Sequence, residues 1–89
     1  MNKYTKYQMA GELDTGISAK LLYLLLLDTA DAEGELIIPQ KRVSEALGIS
    51  RNTVSRNFRR LARTGAVQII PTYNQYGGQM PNKYVIREG

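Results

Sequence analysis

Val43-Ser44-Glu45-Ala46-Leu47-Gly48-Ile49-Ser50-Arg51-Asn52-Thr53-Val54-Ser55-Arg56 reads as two helices that meet at one tight corner. Gly48 stands where the first helix must end, and glycine enters the left-handed conformation of a helix C-terminus without the clash a Cβ would bring. Two residues on, Ser50 offers a hydroxyl to the free N–H groups that open the second helix. Ile49 plugs the gap between the two rods, and Leu47 and Val54 lock their crossing angle. The second rod is thereby held clear of the body of the protein.

Working outward, Pro39 suits the first turn of the first rod. That helix runs from about Gln40 to Leu47, with Val43, Ala46 and Leu47 on its inner face. The second rod runs from Arg51 to about Thr64, with Gly65 just past its end. A wheel at about 100° per residue puts Val54, Phe58 and Leu61 together, with Ala62 nearby, as a buried stripe. Asn52, Arg56, Arg59, Arg60 and Arg63 fall on the opposite face. Upstream, Ser18 is placed to cap a helix through Asp28 that is apolar nearly all round. It reads as the central core helix, with a dimer contact through its outer leucines as the alternative. Asp31 to Glu35 is a turn broken by Gly34, and Leu36-Ile37-Ile38 is a short strand. Downstream, Ala66 to Ile70 is β-prone, and Lys83 to Arg87 returns as its partner. The two-residue period sets Val67 and Ile69 against Tyr84 and Ile86. Pro71 to Asn82, with Gly77-Gly78 and two prolines, reads as a long hairpin loop. Residues 1–16 read as a polar arm packed on the domain, with a short extended piece at most.

The order helix, strand, helix, helix, hairpin predicts an α+β fold of the winged helix-turn-helix type: a three-helix core, a short strand and a C-terminal β-hairpin wing. One domain spans residues 1–89, since 89 residues leave no room for a second core. It divides into the arm (1–16), the helical core (17–65, with the two-helix corner at 40–64) and the hairpin (66–88). The Val43–Arg56 stretch resembles the helix-turn-helix signature of bacterial DNA-binding proteins. Its one departure is Ser44, where the usual pattern has alanine, and a small hydroxyl fits the same contact. Taken with Ile17-Ser18-Ala19-Lys20-Leu21-Leu22-Tyr23-Leu24-Leu25-Leu26-Leu27-Asp28 and Leu61-Ala62-Arg63-Thr64-Gly65-Ala66-Val67, the chain resembles the N-terminal domain of RepA_N-type plasmid replication initiators. It is also similar to small winged-helix regulators of plasmids, phages and conjugative elements. The resemblance covers roughly residues 4–87. It implies a bacterial origin, DNA binding and, often, a homodimer. Replication initiators of this kind carry further domains, so the resemblance leaves two readings open: an origin-binding module or a stand-alone transcriptional regulator.

Composition narrows the chemistry. The chain holds no Cys and no His, which removes thiol nucleophiles, imidazole bases, disulfides and the usual zinc ligands. The acidic residues are scattered without metal-ligand spacing. No nucleophile–base pair and no phosphate-cradling glycine loop appears, so neither catalysis nor a cofactor, metal or small-molecule ligand is expected. The start has no apolar signal core, and the longest apolar run, Leu21 to Leu27, falls far short of the roughly 20 residues a membrane span needs. These features predict a cytoplasmic protein with no membrane contact.

The net charge of +4 is unevenly spread. Residues 1–38 sum to −3, residues 64–89 to +1, and residues 39–63 to +6, where seven basic residues meet only Glu45. A focused basic segment points to a polyanion. Double-stranded DNA is the expected partner, and position suggests a role for each contact residue. Asn52, Ser55 and Arg56, with Thr53 at the edge, lie in the turns of the second rod that reach base edges, Arg56 suiting guanine and Asn52 adenine. Arg51 lies at the helix start, where backbone N–H groups also favour a phosphate. Arg59, Arg60 and Arg63 lie further along and suit phosphates, as do Lys41 and Arg42 at the start of the first rod. In the hairpin loop the candidates are Asn74, Tyr76, Gln79 and Lys83, along the minor groove or flanking backbone. Protein interaction through the winged helix is the competing use, and it predicts an apolar outer face where this rod is basic.

Overall fold

The computed structural model describes residues 3–87, so the ends of the arm and hairpin, residues 1, 2, 88 and 89, lie outside it. The elements run α1 (Thr5–Gly11), α2 (Ile17–Thr29), β1 (Glu35–Ile37), α3 (Gln40–Leu47), α4 (Arg51–Arg63), β2 (Val67–Tyr73) and β3 (Gln79–Ile86). This is the α+β winged helix-turn-helix. Among the described residues no helix is long and apolar enough to cross a membrane.

The arm is helical, which corrects the extended piece expected there. α1 buries Ala10 and sets Met9 against the core. Lys6 Nζ lies 2.7 Å from Asp28 Oδ1, tying α1 to the end of α2. That hydrogen bond raises the Lys6 pKa above the ordinary value. A seven-residue helix is marginal on local propensity alone, so packing on α2 is what selects it.

In α2 the residues Ala19, Leu22, Tyr23 and Leu26 are buried, at the spacing of one helix face. Ile17 and Leu21 remain exposed. Gly16, not Ser18, is the N-cap, because its extended backbone lets the helix begin at Ile17. Ser18 therefore falls inside the first turn, and its hydroxyl donates toward Asn57 Oδ1 at 3.4 Å. The turn after α2 is organised by Asp31, whose Oδ1 accepts from the N–H groups of Glu33 (3.0 Å) and Glu35 (2.9 Å).

α3 has the boundaries expected, yet Ala46 is exposed. A helix of barely two turns touches the core along one narrow line, here Val43 and Leu47, four residues apart, and Ala46 falls beside it. α4 closes in the 6→1 and 5→2 pattern of a helix ended by glycine: Ala66 N–H donates to Leu61 O and Gly65 N–H to Ala62 O, with Gly65 at φ +83°.

The sheet order is β1-β3-β2, all antiparallel. Val67 faces Ile86 and Ile69 faces Tyr84, the partners expected from the alternation. The long loop expected from Pro71 to Asn82 is instead mostly strand, with only Asn74 to Gly78 between β2 and β3. Both prolines sit at a break in register: Ile70 pairs with Lys83 and Thr72 with Met80, so Pro81 and Asn82 together oppose Pro71. A bulge tolerates a residue without a ladder N–H, which is why prolines here bend a strand and do not end it. Thr72 Oγ1 donates to Pro81 O at 2.7 Å across the break.

The core joins both layers. Phe58 of α4 and Tyr84 of β3 are fully buried and stack with ring centroids 4.0 Å apart and planes at 10°. Leu22, Leu26, Val43, Val54 and Leu61 surround them, each with no exposed surface.

Candidate nucleic-acid interface

α4 is set in place by the corner before it. Gly48 adopts the left-handed conformation, φ 67° and ψ 29°. Ser50 caps α4, its hydroxyl accepting from Thr53 N–H at 3.1 Å. Ser44, the departure from the usual pattern, donates its hydroxyl to Ile49 O at 2.6 Å. The corner carbonyl thus gains a partner that alanine would not supply.

From this mount α4 buries Val54, Asn57, Phe58 and Leu61. The stripe is the one expected, with two changes: Asn57 joins it, and Ala62 is only half-buried. Arg51, Asn52, Arg56, Arg59, Arg60 and Arg63 are all exposed, while Thr53 and Ser55 are half-buried. α4 contains five arginines and no acidic residue. Among the described residues the ion pairs are Lys6–Asp28 and Lys83–Glu35, so none of these arginines is neutralised by a carboxylate. Arg59 donates to Ser55 Oγ at 3.2 Å, one turn back along the helix. Arg60 and Arg63 lie in the last turn, where the helix dipole favours cations; the first turn holds Arg51 and no acid, the charge order that leaves room for an anion. Lys41 and Arg42 are exposed in the first turn of α3.

Two clefts take in part of this set, while Lys41, Arg42, Asn52, Ser55 and Arg59 line neither. One, of about 470 Å³, runs between the start of α4 and the hairpin and is lined by Pro39, Gln40, Arg51, Gln79, Met80, Pro81, Asn82 and Tyr84. The other, of about 420 Å³, lies along α4 and is lined by Ser18, Thr53, Arg56, Asn57, Arg60 and Arg63.

The hairpin tip differs from what the sequence suggests. Asn74 Oδ1 accepts from the N–H groups of Tyr76 and Gly78, both at 2.9 Å, so this side chain holds the turn together. Tyr76 is 87% exposed at the tip, and Gln79 is exposed opposite Tyr73. Lys83 is not in the loop. It lies inside β3 between Ile70 and Ile37, and its Nζ is 2.8 Å from Glu35 Oε1. The hairpin's one expected cation is therefore partnered, because the third strand, β1, brings a carboxylate to its side.

A family model described as a helix-turn-helix domain matches residues 17–67. The chain belongs to this helix-turn-helix family. No curated protein and no solved structure matches it. The helix-turn-helix is a DNA-binding unit whose second helix enters the major groove. In this helix-turn-helix domain that helix is α4, the element with the bare arginine face.

Residues missed in the sequence are instructive. Asn57 falls on the same wheel stripe as Val54 and Leu61, so a polar residue in an apolar stripe was the available signal. Nothing local marks Gln40, Met80 or Asn82, which line the cleft beside Arg51 because the start of α3 and the strand β3 come together there.

Proposed function

We propose that the protein binds double-stranded DNA sequence-specifically, without catalysis of its own, as a transcriptional regulator of a bacterial mobile element acting in the cytoplasm. The observation that carries the reading is the outer face of α4: five arginines, no acid and, among the described residues, no carboxylate partner, on a helix mounted by a glycine corner. Asn52, Thr53, Ser55 and Arg56 are assigned to base edges. Arg51, Arg59, Arg60 and Arg63, with Lys41 or Arg42, are assigned to phosphates. Tyr76 and Gln79 are assigned to the flanking minor groove. Asn74 and Lys83 are assigned there too, Asn74 through the amide nitrogen its turn bonds do not use and Lys83 in competition with Glu35.

An origin-binding role in a plasmid replication initiator is the second reading, favoured by the Ser18-Ala19-Lys20-Leu21-Leu22-Tyr23 segment. A pure protein-interaction role is disfavoured by the charge of α4. Selection of bound fragments from a random duplex pool tests the proposal: a defined site is expected, and a palindromic one would mark a homodimer. On that site Arg56→Ala should cost about 1–3 kcal/mol at one base position and relax the preference there. Failure to enrich any sequence, or no affinity for duplex at low salt, would overturn the reading.

A further inference from the structure

Asn57 stands apart from every other buried side chain. Among the described residues it is the only buried polar one, 8% exposed, and its Nδ2 is the only buried side-chain nitrogen or oxygen without a partner. Its Oδ1 accepts a long hydrogen bond from Ser18 Oγ, which leaves the NH2 group with both protons unused. An orphaned donor in a core is costly, and leucine at this position would pack without that cost. The amide is a donor left available to a group that arrives after folding.

The surroundings say which kind. Asn57 shares its cleft with Arg56, Arg60 and Arg63 and with the hydroxyl residues Ser18 and Thr53. Among the described residues no acidic side chain lines it. Ser18 is in the first turn of the 13-residue helix α2, whose N-cap, Gly16, has no side chain to engage the free N–H groups. A helix start of this kind carries partial positive charge. The cleft is thus rich in donors, three of them cationic, and its volume of about 420 Å³ leaves ample room for a phosphate group. Its arginines are long, exposed side chains able to swing toward a bound group.

We propose that this cleft seats one phosphate of the DNA backbone, held by Asn57 Nδ2 and the start of α2 as neutral donors and by Arg60 and Arg63 as charged ones. The assignment rests on the duplex-binding reading. It adds Asn57 and Ser18 to the interface and makes the start of α2 a second fixed point. With α4 in the groove and α2 anchored on the backbone beside it, the domain cannot rotate about the axis of α4.

The test is a titration of the ¹⁵N-labelled protein followed through the side-chain amide resonances of Asn57, assigned by their absence in Asn57→Leu. A 24-base-pair duplex at low salt is expected to move both resonances. Asn57→Leu is expected to melt no lower than the wild type and to bind every duplex, selected or random, roughly tenfold to a hundredfold more weakly. Inorganic phosphate against chloride at matched ionic strength is the second arm. Movement with both phosphate and duplex supports the seat, as does movement with duplex alone. Movement with inorganic phosphate but not with duplex overturns the backbone assignment in favour of a free anion. Normal duplex binding with still resonances, or with Asn57→Leu at wild-type affinity, overturns the seat and leaves the duplex reading standing. No duplex binding by the wild type overturns both.

Discussion

Salt provides the most direct measure of how many cations of this domain meet phosphate. The exposed basic groups assigned to the backbone are Arg51, Arg59, Arg60, Arg63 and one of Lys41 and Arg42, none of them ion-paired among the described residues. Each phosphate neutralised releases condensed counterions, so about five contacts give a slope of log affinity against log salt near −4.5. Between about 50 and 200 mM salt the affinity should then fall roughly 500-fold. Arg60→Ala removes one contact, so its slope should ease to about −3.6 and its loss over the same range to roughly 150-fold. Arg60 is on the exposed face of α4 and the core stripe does not include it, so the fold should be unaffected. Fluorescence anisotropy of a labelled duplex at five or six salt concentrations, with wild type and variant side by side, reads both slopes. A wild-type slope shallower than about −2 would refute the count of contacts. An unchanged slope in Arg60→Ala would refute the role given to that residue, whatever the affinity.

Three further outcomes follow from the packing. Ser50→Ala removes the cap of α4, and a loss of about 1 kcal/mol, or roughly 4–8 °C in Tm, is expected by calorimetry. Gly48→Ala meets no atom within 4 Å but must hold φ at +67°, so a cost of about 1–2 kcal/mol in denaturant unfolding comes from backbone alone. A double-mutant cycle of Phe58→Leu and Tyr84→Leu should return a coupling of about 0.5–1.5 kcal/mol, since the two rings touch directly; simple additivity would deny the stack an energetic role. The Lys6–Asp28 tie has a defined pH signature. Because the folded-state pKa of Lys6 is raised, its contribution is fully present below the ordinary value of 10.5 and is lost as pH climbs through the higher one. The difference in Tm between wild type and Lys6→Met should stay constant up to that point and shrink above it.

The helix-turn-helix was legible residue by residue because everything that makes it is local. Gly48, Ser50 and Gly65 act within one turn of where they stand, and the spacing of Val54, Phe58 and Leu61 states which side of α4 is buried. The pairing of Val67 and Ile69 with Ile86 and Tyr84 was readable for the same reason, since alternation leaves only one face for the core. Where reading went astray, the deciding partner was distant in sequence. Short helix α1 forms only against α2, Pro71 and Pro81 are admitted to strands only because they meet at one bulge, and Lys83 loses its freedom to Glu35 on a strand 48 positions earlier. Asn57 shows the division most clearly. Its place on the apolar stripe is a matter of helical period, but that its amide lies buried and unmatched depends on α2 crossing over it. Helix caps and periodicity are energies among neighbours along the chain and so are written in the order of residues, whereas burial and charge pairing between elements exist only once loop closure has brought those elements together.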